Sequence, residues 1–240
     1  MSRKIGLRTM SAAGAGGCVI KISVLVDSTP SADHIVVIDG RNYHNGNSFI
    51  IAKGDHTLTW QSENGVVFSS WAVAANVSVA DETAESTTLT VDCGGTLTLN
   101  LLGCPAAGEQ IVNGGFETGD LTGWDDINGL VTNQYSHSGT YSILLYQNQY
   151  WLSADKNIPK ACIQSCGFYL YEPAGHGTQR YKIFYTDGTD SGFIIMPDAT
   201  ADWTYVDVLA QMADGKSFKN IRFYGGTANP AWADDVSLIC

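Results

Sequence analysis

The chain has 240 residues, 44% of them hydrophobic and only 15% charged, which is enough for a substantial core in one large or two small domains. Thirteen basic residues against 24 acidic ones leave a net charge of −11. That balance disfavours nucleic acid, whose binding needs Lys and Arg to displace counterions, and it disfavours anionic membranes; it suits solubility and divalent cations.

Glycine and tyrosine are abundant, at 26 and 11 residues, which favours strands joined by tight turns. No stretch carries apolar residues at helical spacing, and none is long and apolar enough to span a membrane. The N-terminus is basic from Ser2 to Arg8, but Thr9 to Gly17 lacks the apolar segment of a signal peptide. Residues 1–17 are therefore expected to form an extended or disordered arm, with no recognisable signal peptide. Ala15-Gly16-Gly17-Cys18 has the small residues of a lipoprotein cleavage site but lacks its Leu.

From Cys18 the pattern is that of short strands. Cys18 to Val26 is β-branched, and Asp27 to Asp33 is a turn. His34 to Asp39 is a strand closed by Asp39-Gly40, and Asn45-Gly46 marks another turn. Ser48 to Ala52 and His56 to Gln61 follow, separated by Lys53-Gly54-Asp55. Val66 to Trp71, Asn76 to Val79, Thr87 to Val91 and Thr96 to Leu102 complete the run. Such regular spacing predicts a β-sandwich. Cys18, Cys93, Cys104, Cys162, Cys166 and Cys240 are even in number. Cys93 with Cys104, or Cys162 with Cys166, has a spacing that could close a disulfide. Buried thiols remain an alternative, and metal is the weakest reading because no Cys-x-x-Cys occurs.

Val37-Ile38-Asp39-Gly40-Arg41-Asn42-Tyr43 and Ala52-Lys53-Gly54-Asp55-His56-Thr57-Leu58 together resemble the PEGA-type and related immunoglobulin-like modules of bacterial and archaeal surface proteins. Phe68-x-x-Trp71 and Thr87 to Val91 continue the pattern. The resemblance implies a spacer or interaction unit over residues 18–102. Gly103 to Gln110 reads as a short linker.

Residues 111–240 open with Ile111-Val-Asn-Gly-Gly-Phe-Glu-Thr-Gly-Asp-Leu-Thr-Gly-Trp124 and close with Trp232-Ala-Asp-Asp-Val-Ser-Leu238. Between them stand Ser138 to Ile143, Tyr181 to Tyr185 with the hairpin Thr186 to Thr189, and Ala201 to Tyr205. In that order these segments resemble the galactose-binding-like jelly rolls of carbohydrate-binding families 4, 9, 16 and 22. The resemblance implies an all-β chain of two antiparallel β-sandwiches, the immunoglobulin-like domain followed by the jelly roll.

The same resemblance implies a structural calcium ion where the two ends of the domain meet, held by Glu117, Asp234 and the carbonyls of Gly115 and Thr140. These are hard oxygen donors of the kind calcium takes. Two carboxylates bonded to backbone amides, without metal, is the alternative. Asp235 should alternate to the opposite side of its strand from Asp234.

Period-2 alternation turns Phe168, Leu170, Ile183, Ile221 and Phe223 inward. It leaves Tyr169, Tyr171, Lys182, Phe184, Arg222 and Tyr224 on what is expected to be one outer face. Aromatic rings stack on sugars while cations and amides bond hydroxyls, and the same composition marks protein interfaces. Tyr150-Trp151 is placed in a loop with either role; the resemblance to the jelly-roll modules implies that Trp124 and Trp203 are core residues. No phosphate loop, nucleophile elbow, dinucleotide fingerprint or metal-type histidine spacing occurs, so no enzyme is expected.

Two readings of function follow. The first is a non-catalytic structural or assembly subunit of a virion or extracellular filament. It would associate with itself or with other subunits and use the arm 1–17 in strand exchange; assembly in a host cell needs no signal peptide. The second is a carbohydrate-binding adhesion protein acting on a cell-surface or polymeric glycan.

Overall fold

The computed structural model describes residues 17–61, 65–125, 130–146, 150–175, 177–226 and 229–240, and the side chains of all of these except residues 150 and 151. The arm expected over 1–17 lies, but for Gly17, outside the described residues. The chain divides into two compact units, the first ending at Gly103 and the second running from Cys104 to Cys240. Among the described residues there is no α-helix.

The first unit holds β1 (Cys18–Val26), β2 (Thr29–Pro30), β3 (Ile35–Ile38), β4 (Arg41–His44), β5 (Ser48–Ile51), β6 (Gly54–Gln61), β7 (Val66–Val79) and β8 (Thr87–Gly103). All eight join one sheet, which β8 folds over on itself. Thr87–Val91 pairs with β6, and Gly95–Leu101 pairs in parallel with β1. Between these two legs lies Gly94-Gly95, with Gly94 at φ +64°, a conformation that glycine reaches without steric cost. Inward residues of both legs share one core: Leu89 and Val91 from the first and Leu97, Leu99 and Leu101 from the second. They join Ile20, Ile22, Val24, Leu58 and Trp71. Each such buried aliphatic side chain contributes about 1.5–3 kcal/mol relative to exposure.

Two pairs of expected strands are thus single long ones. Val66–Trp71 and Asn76–Val79 belong to β7, which absorbs register shifts between Phe68 and Ser70 and between Ala75 and Val77. Bulges of this kind bend a strand without ending it, so the glycines and small residues that read as breaks are bends. The two segments carrying the first resemblance bond to each other. Asp39 accepts the Thr57 N–H at 2.9 Å and pairs with His56 Nδ1 at 2.7 Å.

The second unit contains β9 (Leu130–Thr132), β10 (Ser142–Leu145), β11 (Tyr150–Leu152), β12 (Ile158–Pro159), β13 (Ser165–Tyr171), β14 (Arg180–Tyr185), β15 (Ile194–Ile195), β16 (Thr204–Asp207), β17 (Ser217–Tyr224) and β18 (Ala231–Ile239). One sheet runs β16-β13-β18-β10-β9; the other runs β11-β17-β14-β15, with β12 also on β17. The inner faces meet in a sandwich. Phe168 of the first sheet packs edge-on against Phe223 and Tyr181 of the second, at 4.8 and 5.7 Å between ring centroids. Both sheets are antiparallel throughout.

The opening segment of this unit forms no strand of its own. It is a folded loop laid against β18, with Val236 donating to the Gly114 carbonyl at 2.9 Å. A β-carbon on Gly114 would overlap the Val236 carbonyl, which is why the motif has glycine there. Phe116 and Trp124 are buried beside each other, their centroids 5.0 Å apart. Cys104 and Cys162 form a disulfide, so neither pairing expected from spacing is present. Both of those joined cysteines close in sequence, whereas the observed bond closes a long loop of this unit.

Candidate functional site

The six residues expected on a single face divide between two. Tyr169 and Tyr171 stand on β13, while Lys182 and Phe184 stand on β14 and Arg222 and Tyr224 on β17, in the other sheet. The alternation within each strand is as expected: Phe168, Leu170, Ile183, Ile221 and Phe223 are buried. Alternation fixes which residues face outward from a sheet. It does not say which sheet a strand joins, so the outward residues end on opposite sides of the sandwich.

On the β13/β18 sheet the rings are packed against one another and under a loop. His137 stacks on Tyr169 at 3.6 Å between centroids and 11° between planes. Tyr135 meets the edges of Tyr171 and Trp232 at 5.3 and 4.7 Å. Trp203 lies tilted against Tyr171 at 5.5 Å. It is therefore half-buried on this outer face and not in the core, while Trp124 is in the core. Trp232 is only 3% exposed although its strand turns it outward, because the loop carrying Tyr135 covers it.

That loop is fastened to the end of β18. Asp234 accepts the N–H groups of His137 and Ser138 at 2.8 and 3.2 Å. Asp235 pairs with His137 Nδ1 and accepts the Ser138 hydroxyl, both at 2.7 Å. The two aspartates thus serve one loop instead of opposite sides. The cause is a bulge: the β13/β18 register shifts between Gly167 and Tyr169, and Asp235 takes φ +48°, which breaks simple alternation. Burial raises the Asp234 carboxyl to about 6; the charge of Asp235 adds to this and three amide hydrogen bonds oppose it.

Of the residues expected at a calcium site, Glu117 lies against the Thr140 backbone and Gly115 near Asp234. Glu117 accepts the Thr140 N–H at 2.9 Å and the Tyr141 N–H at 2.9 Å. Oxygens of Asp235 and Asp234 lie 3.2 and 3.9 Å from where a β-carbon on Gly115 would sit, with Glu117 Cγ at 3.8 Å. The donors are all hard oxygens, and the His137 imidazole lies against Asp235, its Nδ1 2.7 Å from the carboxylate. Each carboxylate also accepts main-chain or side-chain donors, and no three His, Cys, Asp or Glu side chains among the described residues converge on a point.

The β14/β17 sheet presents a different outer face. Lys182 lies directly opposite Arg222, and Arg180 opposite Tyr224. Phe193, 51% exposed, stands before β15 and carries two cations over its ring. The Arg180 guanidinium carbon is 4.5 Å and Lys182 Nζ 4.6 Å from its centroid. Tyr224 meets Phe193 edge-on at 5.0 Å, and Arg222 lies 5.2 Å from the Phe184 ring. One carboxylate, Asp190, pairs with Lys182 at 3.1 Å.

Beside this face, Ile195 on the edge strand is 69% exposed and stands between two cavities. One, of about 560 Å³, is lined by Gly177, Thr178, Arg180 and Ile195. The other, of about 390 Å³, opens between the edge strands and is lined by Ile194, Pro197, Tyr205 and Gln211 among others. Tyr150-Trp151 belong to β11 and not to a loop; their side chains lie outside the described residues.

Sequence reasoning missed Arg180, Phe193 and Tyr205. Arg180 continues the outward set Lys182 and Phe184 two residues earlier and was legible by the same alternation. Phe193 precedes a strand of only two residues, so no periodicity marks it.

The second unit is thus a jelly-roll-like sandwich with one occluded and one open aromatic face. No protein-family model matches the chain, and no curated protein does. Among solved structures it is similar to TmCBM61, a structure in complex with β-1,4-galactotriose, at 16% identity over 55% of this chain and 99% of that one, with a TM-score of 0.37. It is also similar to the N-terminal CBM22-1–CBM22-2 tandem domain from Paenibacillus barcinonensis Xyn10C, at 12% identity over 95% of this chain and 75% of that one, with a TM-score of 0.36.

Proposed function

We propose that the chain is a non-catalytic, extracellular glycan-binding protein and that the outer face of the β14/β17 sheet holds the glycan. The observation that carries this reading is Phe193. It is a half-exposed aromatic ring just before β15, with Arg180 and Lys182 over it, and Arg180 also lines the cavity of about 560 Å³. Sugars offer apolar C–H faces and a rim of hydroxyls, and a ring with donors around it complements both. The Cys104–Cys162 disulfide supports a place outside the reducing cytosol. The assembly reading has no observation in its favour, since the arm meant to exchange strands lies almost wholly outside the described residues. The first unit is proposed as a spacer.

Affinity electrophoresis of the whole chain in gels containing soluble polysaccharides tests the reading. Retardation by at least one polymer is expected, and Phe193→Ala should remove most of it without lowering the melting temperature by more than a few degrees. If Phe193→Ala is retarded like the parent while Tyr169→Ala is not, the site is on the other face.

We also propose a structural calcium ion held by Glu117, Asp234 and the carbonyls of Gly115 and Thr140. When bound it would neutralise part of the negative charge gathered there and tie the opening loop to β18. What binds only the folded state stabilises it by mass action. A chelator should therefore lower the melting temperature, and Glu117→Gln should remove that sensitivity; a chelator without effect on the parent chain sinks the calcium.

A further inference from the structure

Resting on the glycan reading, we propose that this face recognises an acidic polysaccharide, one bearing carboxylate or sulfate groups along its chain. The argument begins with a like-charge pair. Lys182 and Arg222 are cross-strand neighbours in register, and like charges directly opposite each other destabilise a sheet. Arg180 stands two residues along the same face. In a chain with 13 basic residues and a net charge of −11, three cations on adjacent rungs are not the dispersal that folding alone favours.

The three cations differ in their partners within the protein. Lys182 has Asp190, and Arg222 lies over Phe184. Arg180 is exposed; its contact is with the Phe193 ring, and among the described residues no carboxylate pairs with it. Its guanidinium fork suits a carboxylate or sulfate, which it can hold through two parallel hydrogen bonds. A uronic acid bound beside the half-exposed Phe193 would meet, with its acid group, the Arg180 and Lys182 cations that stand over the ring. The distant acidic surface does not forbid this, because beyond about 8–10 Å exposed charges are screened at physiological salt. An extended nucleic acid, with its much denser charge, would meet that surface as well.

The test compares polygalacturonate and a sulfated galactan with neutral galactan and xylan, using isothermal titration on the whole chain at about 20 and about 300 mM NaCl, a range over which screening shortens from long to short reach. The expected result is binding to an acidic polymer, weakened about tenfold at the higher salt, lost when the uronate carboxyls are methyl-esterified, and weakened at least tenfold by Arg180→Ala. Arg180→Lys should restore part of it, and both variants should melt with the parent. Binding confined to neutral polymers, insensitive to salt and to Arg180→Ala, overturns the acidic specificity and leaves the glycan reading standing. No binding to any polymer overturns both. Equal binding of single-stranded DNA overturns the proposal in favour of an unselective polyanion face.

Discussion

The two outer faces of the second unit are both rich in aromatic residues, yet they are built for different ends. On the β13/β18 sheet the rings cover one another: His137 lies flat on Tyr169, and Tyr135 caps Tyr171 and Trp232. On the β14/β17 sheet the principal ring, Phe193, is half-exposed and its neighbours are cations. Aromatic content alone therefore does not mark a binding face. What distinguishes them is which groups stand beside the rings: other rings on the first face, and on the second two cations over a ring that is 51% exposed.

The largest effect that can test this contrast is on stability. If the β13/β18 face is structural, Trp232→Ala should cost about 3–5 kcal/mol, as truncation of a buried aromatic does, while the folded fraction binds glycan as before. Urea unfolding followed by titration of the variant separates the two. A loss of binding with little loss of stability would reverse the roles of the faces. Next in size is the disulfide. Cys104→Ser removes a cross-link between residues 58 apart in sequence, and loss of a bridge of that span costs about 2–4 kcal/mol. It should leave the Arg180–Phe193 face able to bind in the folded fraction, since neither cysteine lies on that face.

Arg222→Gln is expected to be smaller and opposite in character. It removes the like charge facing Lys182, a term of about 0.2–1 kcal/mol, so stability should hold or rise slightly while affinity for an acidic glycan falls. A variant that both loses stability and keeps affinity would show that Arg222 serves the fold.

The fold class and the outward side chains were legible in the sequence, whereas the contrast between the two faces was not, for identifiable reasons. Turn chemistry and alternation gave the all-β class and the direction of nearly every outward side chain, because those depend on a few residues at a time. The assignment of β13 to one sheet and of β14 and β17 to the other depends on long-range pairing, which no local pattern encodes. Trp203 was expected in the core because it occurs where the resembling modules have core residues, but it is held on the surface by Tyr171 and His137. Asp235 looked opposed to Asp234 because a bulge leaves no mark in the residue types around it. Glu117, Gly115, Thr140 and Asp234 were brought to one place by family likeness, and alternation could not have joined a loop to a strand so far away in sequence.

The smallest effect expected is that of pH, and it bears directly on which face binds. The cations of the open face are two arginines and a lysine. Its carboxylate, Asp190, is held below the ordinary carboxylate range first by the Gly192 N–H and then by the Lys182 ammonium. A group lowered in this way contributes stability that is fully present above the ordinary carboxylate value. That contribution is lost only as pH falls through the lower folded value. The Asp190 carboxylate therefore keeps its charge between about pH 5 and pH 9. Affinity for polygalacturonate should vary less than about twofold over that range, and fall in stronger acid as the carboxyls of the polymer take up protons. The covered face, by contrast, has an imidazole at its centre, His137 stacked on Tyr169. Binding that survives Arg180→Ala but is abolished by His137→Gln would move the glycan to that face.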